Sequence, residues 1–199
     1  MKGGGVYMAS LTEIRWHGRG GQGAKTASIL LGKVAAKTGS NIQAFPEYGP
    51  ERMGAPVLAY NRISEEDVTV HCQVTEPSIV VVIDPTLLEV VDVTEGVPSD
   101  GTIVVNTEAS PKEVKEKLGF EGKVWTVDAY GIATEEIGAP FPNTPMLGAL
   151  IKATDLLPFE GFLTEMENEF GKKFAHKPEV IDGNLSSIKR AYQEVKNNG

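Results

Sequence analysis

The residues best suited to chemistry in this chain form a glycine-rich run, HGRGGQG, from His17 to Gly23. Four of the six residues from Gly18 to Gly23, here called the glycine loop, are glycine, which permits a tight turn and close approach of the backbone to a ligand. A helix predicted from Ala24 would direct its free amides and positive dipole end at this loop. The pattern indicates a binding site for a phosphate group or an acidic partner. The candidate contacts are Gly18, Arg19, Gly20, Gly21, Gln22, Gly23 and Lys25.

The glycine loop also satisfies G-x-G-x-x-G in the strand–turn–helix context of dinucleotide-binding domains. Glu47 follows the second predicted strand, a few positions later than the spacing of about 20 residues expected for a ribose-binding acid. Three interpretations stay open: a stand-alone nicotinamide or flavin site, a turn that only joins strand and helix, and a phosphate or coenzyme contact in another setting. His17 is either a base or phosphate donor, or a side chain hydrogen-bonded in place at a strand end.

A second loop, from Pro46 to Pro56, is too rich in proline and glycine for a continuous helix or strand. Its adjacent charges Glu51 and Arg52 do not face each other on a regular element. They therefore point at a partner chain or another loop, or the loop is a solvated turn. The candidate interface residues are Glu47, Tyr48, Glu51 and Arg52.

Strands and helices alternate along the chain. The predicted strands are 13–16, 41–45, 57–63, 79–83, 103–105 and 124–127, and the predicted helices are 24–36, 85–91, 111–118, 133–137, 145–157, 158–170 and 185–196. Uniformly apolar, β-branched strands are typical of a parallel or mixed sheet covered on both faces. Ser110 and Pro111 form a cap and first helical position. We expect one domain over residues 9–199, preceded by a flexible leader over residues 1–8.

Composition excludes several classes of protein. The chain has 199 residues, a net charge of −8 and one cysteine, Cys72. The acidic balance disfavours nucleic-acid binding, and one thiolate cannot hold an iron–sulfur cluster or a structural zinc site. No apolar stretch approaches the ~18 residues of a membrane span and the start is no signal peptide, so a cytoplasmic protein is expected. His71 and Cys72 are adjacent on a predicted strand and face opposite ways, so Cys72 is interpreted as a core residue.

Several segments beyond the glycine loop resemble one known family in order and spacing, from about Ile14 to Tyr192. The segments are Gln43–Pro46, Gly49–Pro56, Val80–Asp84, Val105–Thr107 and Asn143–Ala149. Each is weak alone, and their combination is specific. By these motifs the chain is identified as a member of the gamma subunits of 2-oxoacid:ferredoxin oxidoreductases.

This resemblance implies a Rossmann-like, three-layer α/β fold with a mostly parallel sheet and a helical C-terminal region. It also implies that the chain is a subunit that assembles a larger enzyme and lies on the coenzyme A side of its active site. That enzyme would decarboxylate a 2-oxoacid, pass electrons to ferredoxin and transfer the acyl group to coenzyme A. Alpha and beta subunits would hold thiamine diphosphate with magnesium, a delta subunit would hold [4Fe–4S] clusters, and this chain alone would hold none of them. Asn143–Ala149 favours pyruvate, with 2-oxoglutarate and branched-chain 2-oxoacid enzymes as alternatives.

Overall fold

The computed structural model describes residues 11–47, 54–69 and 72–197. The predicted leader, residues 1–8, lies outside the described residues. The strands are β1 (Thr12–Arg19), β2 (Asn41–Pro46), β3 (Pro56–Ser64), β4 (Ile79–Val82), β5 (Thr102–Asn106), β6 (Lys123–Val127) and β7 (Lys196–Asn197). The α-helices are α1 (Ala24–Lys37), α2 (Pro111–Leu118), α3 (Ala129–Ile137), α4 (Asn143–Thr154), α5 (Phe159–Lys173) and α6 (Pro178–Glu194).

The described strands form one mixed sheet in the order β2-β3-β1-β4-β5-β6-β7. β1, β4, β5 and β6 are parallel neighbours, β3 lies antiparallel between β1 and β2, and β7 is antiparallel to β6. Because β1 and β2 both run antiparallel to β3, five strands share one direction and end at one edge, here called the carboxyl edge. The predicted α/β fold with a mostly parallel sheet and C-terminal helices is confirmed.

Alternate residues of the central strands pack into separate cores on the two faces of the sheet. Val81 of β4 belongs to the larger core, which α1, α4, α5 and α6 cover. Val80 and Val82 belong to the smaller core, which includes Val114 of α2 and Phe120. This two-sided burial explains why β4 and β5 are apolar throughout.

Two contacts fix how the helices of the larger core pack. Gly148 of α4 lies directly against the backbone of Ile188 in α6. Glu169 of α5 pairs with Lys37 of α1 at 3.3 Å and with Lys172 at 2.8 Å, although its side chain is only 9% exposed. Hydrogen bonds from Lys172 and Lys37 lower the pKa of Glu169 to about 2, against the opposing effect of burial. The carboxylate therefore ties α5 to α1.

Two expectations about local structure were wrong. Residues 85–91 form no α-helix, because the segment is a short 3₁₀-helix (Pro85–Glu89) after which Val90 is 64% exposed and provides no buried face. Cys72 is exposed rather than in the core and lies in a bend. Arg62 stabilises this bend by donating a hydrogen bond to the Gln73 carbonyl at 3.2 Å. The position of the segment therefore does not depend on burial of the Cys72 thiol. His71 lies outside the described residues.

Candidate functional site at the carboxyl edge

The glycine loop lies at the carboxyl edge, where β1 and β4 end side by side. Its first two residues belong to β1, since Gly18 and Arg19 pair with Val57 and Pro56 of β3. A side chain at Gly18 would meet the Cβ of Ala24 at 3.1 Å, so this glycine lets α1 begin close to the strand. The turn between β1 and α1 is therefore shorter than the glycine loop predicted from the sequence.

Two glycines of the turn adopt the left-handed backbone region that favours glycine. Gly21 has φ 98° and Gly23 has φ 85°. A Cβ at Gly21 would meet nothing within 4 Å, whereas one at Gly23 would lie 2.8 Å from Cγ of Asn143. Gly23 therefore also permits the start of α4 to pack against the start of α1.

Arg19 is held by contacts within the chain. Its guanidinium donates to Oγ1 of Thr86 at 2.8 and 3.1 Å and to the Gly54 carbonyl at 3.1 Å, and it lies 3.4 Å from Oδ2 of Asp84. Gly20 also donates to the Ala55 carbonyl at 3.0 Å. The glycine loop and the described end of the second loop are thus one connected unit, with Arg19 between them.

Gln22 joins three elements at the same edge. Its Oε1 accepts a hydrogen bond from the Arg19 amide at 2.7 Å, and its Nε2 donates to Asp84 and, at 2.8 Å, to the Tyr130 hydroxyl. Burial alone would raise the pKa of Asp84, but hydrogen bonds from Thr86 and Gln22 and the charge of Arg19 lower it below its ordinary value. Asp84 therefore remains a carboxylate that fixes Arg19 and Gln22.

The first turn of α1 opens into a cavity of about 320 Å³, here called the lysine cavity, with Arg19, Lys25 and Glu47 on its wall. Gly23 at the N-cap offers no side-chain hydrogen bond, and the first turn contains no acidic residue. Helix amides in such a turn are directed toward solvent or a ligand. The lysine cavity therefore combines helix amides with a net positive wall.

A second cavity, of about 430 Å³, lies on the other side of the turn. We call it the phenylalanine cavity, since Phe141, Phe170 and Phe174 line it with Leu30 and other apolar residues. Phe141 is 53% exposed. The turn from Gly21 to Gly23 thus separates a polar cavity from a largely apolar one.

The structure places the predicted interface residues only in part. Glu47 lies at the end of β2, where its Oε2 accepts hydrogen bonds from the Tyr60 hydroxyl and Nε2 of Gln73, both at 2.7 Å. Burial, together with the hydrogen bond to Glu47, raises the pKa of Tyr60 to about 12. Tyr48, Glu51 and Arg52 lie outside the described residues.

His17 is buried in the sheet behind the glycine loop and is 3% exposed. Its Nε2 accepts a hydrogen bond from Nε of Arg15 at 3.0 Å. Burial, with a smaller contribution from the charge of Arg15, lowers the pKa of His17 to about 3. His17 is therefore a neutral acceptor that is hydrogen-bonded in place, and it contacts neither cavity.

Sequence reasoning missed the residues that hold the loop. Asp84 and Thr86 lie in the segment that follows β4, Tyr130 lies in the first turn of α3 after β6, and Asn143 begins α4. The signal that could have found the first three is their position, since residues just beyond buried parallel strands meet at one edge. Nothing local in the sequence links Asn143 to Gly23.

The observed topology differs from that of a dinucleotide-binding domain. Such domains place the second strand directly beside the first, whereas here β3 separates β2 from β1. Glu47, the candidate ribose acid, is consequently two strands away from the glycine loop and bound to Tyr60. The side chains of Arg19 and Gln22 also occupy the space between the ends of β1 and β4.

The cysteine content does not fit an iron–sulfur cluster. The 199-residue sequence contains one cysteine, and a cluster requires several thiolates. Within the ranges that the structure describes, no group of three or more His, Cys, Asp or Glu side chains is placed to hold a metal ion. Those same ranges contain no helix with the length and apolarity needed to cross a lipid bilayer.

Comparison with known proteins identifies the class to which this fold and site belong. The sequence profile of the pyruvate ferredoxin/flavodoxin oxidoreductase family matches residues 13–194, and the chain belongs to that family. The resemblance to gamma subunits of 2-oxoacid:ferredoxin oxidoreductases is thereby confirmed.

Individual relatives match along nearly their whole length. Pyruvate synthase subunit PorC of Thermotoga maritima is 50% identical over 184 residues, which are 92% of this chain and 94% of that protein. The gamma subunit common to the pyruvate and ketoisovalerate oxidoreductases of Pyrococcus abyssi is 44% identical over 187 residues, 94% of this chain and 98% of that protein. The crystal structure of the T. maritima subunit superposes with a TM-score of 0.83 at 46% identity, covering 95% of this chain and 99% of that one.

Proposed function

We propose that this chain is the gamma subunit of a multisubunit pyruvate:ferredoxin oxidoreductase. The assembled enzyme converts pyruvate to acetyl-CoA and CO₂ while it reduces ferredoxin, or it runs the reverse reaction. The observation that carries this proposal is the 50% identity to a pyruvate synthase subunit across 92% of the chain, together with the shared fold. No described part of this chain needs to perform redox chemistry for that role.

The division of labour among the subunits is the one that the resemblance to gamma subunits implies. The one cysteine of the sequence is compatible with it, since a cluster requires several thiolates. Alpha and beta subunits would supply the thiamine diphosphate and magnesium site, a delta subunit the [4Fe–4S] clusters, and ferredoxin would meet the complex rather than this chain. Residues 9–199 would then act as one assembly domain in a cytoplasmic enzyme.

The choice of 2-oxoacid would not be made by this chain. One relative carries a name that describes a subunit common to pyruvate and ketoisovalerate oxidoreductases, so a gamma chain of this kind is compatible with two substrates. Enzymes for 2-oxoglutarate or branched-chain 2-oxoacids are accordingly the second candidate. Purification of the native complex, followed by a coenzyme A-dependent assay with each 2-oxoacid, decides between them.

We infer that the lysine cavity receives a phosphate of coenzyme A, or an acidic group of a neighbouring subunit. Three features support this inference: the uncapped first turn of α1, the backbone freedom at Gly21 and Gly23, and the positive charges of Lys25 and Arg19. The contribution of this chain is to bind and orient an anion. Arg19 contributes mainly by holding the glycine loop to Asp84 and Gly54, since its donors already face acceptors there.

Lys25→Ala in the assembled enzyme should raise the KM for coenzyme A by about fivefold to tenfold while kcat changes less than about twofold, because one partly exposed charge on a phosphate contributes about 1 kcal/mol. Arg19→Ala should raise that KM as well and also weaken subunit assembly, because it releases Gly54. Lys33→Ala, two turns further along the same helix and paired with Glu169, is the matched control. The measurements are steady-state kinetics and analytical gel filtration.

Unchanged coenzyme A kinetics and unchanged assembly in both Lys25→Ala and Arg19→Ala would remove the lysine cavity from the proposal. A change in assembly alone would assign the cavity to a partner's acidic group. The gamma-subunit role itself is tested separately, by co-purification of this chain with thiamine- and cluster-bearing subunits.

Glu47→Gln should have the opposite effect. This carboxylate lies on the wall of the lysine cavity and repels an anion bound there. Removal of one negative charge at the rim of a solvent-filled cavity should strengthen the binding free energy of an anion by about 0.5–1 kcal/mol. The KM for coenzyme A should therefore fall about twofold to fivefold. A KM that rises instead would show that Glu47 acts through its hydrogen bonds to Tyr60 and Gln73 rather than through its charge.

A further inference from the structure

The phenylalanine cavity has a composition that the proposed function does not use. Its volume of about 430 Å³ lies within the range of small-molecule sites. Phe141, Phe170 and Phe174 give it an aromatic wall, and the described residues that line it include no aspartate or glutamate. The cavity can therefore accept an apolar group, and no acidic side chain of its described wall would repel an anion there.

The start of α4 provides hydrogen-bond donors at this cavity. Asn143 and Thr144, the first two residues of the helix, both line it. The first helical hydrogen bond of α4 runs from the Met146 amide to the Pro142 carbonyl at 3.0 Å, so the two amides before it have no acceptor within the helix. Pro142 at the N-cap offers no side-chain acceptor, and the first turn contains no acidic residue. The positive end of the helix dipole therefore lies at the cavity without a counter-charge from its own turn.

The Thr144 hydroxyl is an independent indication of a ligand. Thr144 is only 4% exposed, and within the described part of the chain its hydroxyl forms no hydrogen bond. Buried polar side chains in folded proteins nearly always have a hydrogen-bond partner. Since Thr144 lines the phenylalanine cavity, an acceptor for its hydroxyl can lie inside that cavity.

Lys173 of α5 adds a positive charge to the same wall. It is the one charged side chain among the described residues that line the cavity. Its Nζ lies 5.1 Å from the ring centroid of Phe174, and no carboxylate of the described ranges pairs with it. An anion in the cavity would therefore meet a positive charge that no described acid neutralises.

We propose that the phenylalanine cavity binds a small apolar monocarboxylate. The carboxylate lies at the start of α4, where it accepts from the Thr144 hydroxyl and the free amides, and the aromatic or branched apolar group lies among the three phenylalanines. Helix starts favour carboxylates, and hydrogen bonds to an ionised acceptor are the strong ones. This site lies on the other side of the turn from the lysine cavity, so the proposal does not depend on the proposed function.

Three probes separate the two halves of the ligand in isothermal titration calorimetry of the purified full chain and of the assembled enzyme. 4-Phenylbutyrate carries both groups, 4-phenylbutyramide lacks the charge, and butyrate lacks the ring. We expect one molecule of 4-phenylbutyrate to bind per chain. The amide should bind about fivefold to tenfold more weakly, the difference between charged and neutral hydrogen bonds, and butyrate more than about tenfold more weakly because it buries no ring. Equal binding of the acid and the amide, or no binding of the acid, would overturn the proposal.

Two substitutions separate the hydroxyl from the charge. Thr144→Val keeps the shape of the side chain and should weaken binding of 4-phenylbutyrate about tenfold and of the amide about threefold. Lys173→Met, at an exposed position, should weaken the acid about threefold and leave the amide unchanged. The matched controls are Thr154→Val, at the other end of α4, and Lys189→Met, at an exposed position of α6. Neither control residue lines the cavity, so both variants should bind all three probes as the wild type does.

The remaining outcomes assign the cavity to something else. If 4-phenylbutyrate binds the full chain but not the assembled enzyme, a partner subunit covers the cavity and the proposal fails. Displacement of 4-phenylbutyrate by coenzyme A would assign the cavity to the coenzyme and overturn the proposal as well. Wild-type affinity for the acid in Lys173→Met would also contradict it, and this variant keeps the test decisive if Thr144→Val destabilises the chain.

Discussion

Gly148→Ala is expected to lower the free energy of unfolding by about 2–3 kcal/mol, the upper part of the range for overpacking a well-packed core. A Cβ at this position would lie well inside van der Waals contact with the carbonyl oxygen of Ile188 and 3.1 Å from its Cα. The opposing atoms belong to the backbone of α6, so no side-chain rotation can relieve the clash. The two helices would have to move apart, which would open the larger core.

Gly161→Ala is the matched control for this prediction. Gly161 is an exposed residue of α5, and a Cβ there would meet nothing within 4 Å. Gly161 lies in the first turn of this helix, and alanine is the better helix former of the two residues, so this variant should be as stable as the wild type or more stable. Urea denaturation of both purified chains provides the measurement. Equal destabilisation of both would contradict the packing argument, as would a stable Gly148→Ala chain.

Local chemistry made several elements predictable from the sequence. Ser110 caps α2, and Pro111 is its first residue. The structure adds the reciprocal bond that completes a capping box, in which Glu113 accepts from the Ser110 amide at 2.8 Å. The buried strands β4 and β5, predicted over residues 79–83 and 103–105 and observed as Ile79–Val82 and Thr102–Asn106, were predictable for a similar reason, because a continuous β-branched run fits a strand that is covered on both faces.

The partners of the site residues could not be predicted, because they are far apart in sequence. From the sequence, Arg19 is a charged residue beside a candidate phosphate-binding loop. In the structure its partners Asp84 and Thr86 come from the segment after β4, far away in sequence. The start of α3, in contrast, has a local signal that the prediction missed, since Asp128 caps this helix by accepting from the Gly131 amide. The contact of Tyr130 with Gln22 has no such signal, because the two residues are far apart in sequence. Residue types thus predicted an anion site, whereas the tertiary contacts show that Arg19 is already paired within the chain.

The stability of the protein should fall on mild acidification because of His17. Burial and the charge of Arg15 lower its pKa to about 3 in the folded chain, from an ordinary value of 6.5. The unfolded chain therefore binds a proton below about pH 6.5 that the folded chain does not bind until about pH 3. The contribution of His17 is fully present above pH 6.5 and is lost as the pH falls toward 3, at about 1.4 kcal/mol per pH unit.

The interval between pH 6.5 and about 4.5 isolates this histidine, because carboxylates with lowered pKa values, such as Glu169, lose their contribution below their ordinary value of 4.5. Wild-type stability should fall by about 2–3 kcal/mol across that interval. His17→Gln, which retains an acceptor for Arg15, should remove this slope but keep the steeper loss below pH 4.5. Denaturant unfolding at a series of pH values gives both slopes, and an unchanged slope in His17→Gln would contradict the assignment.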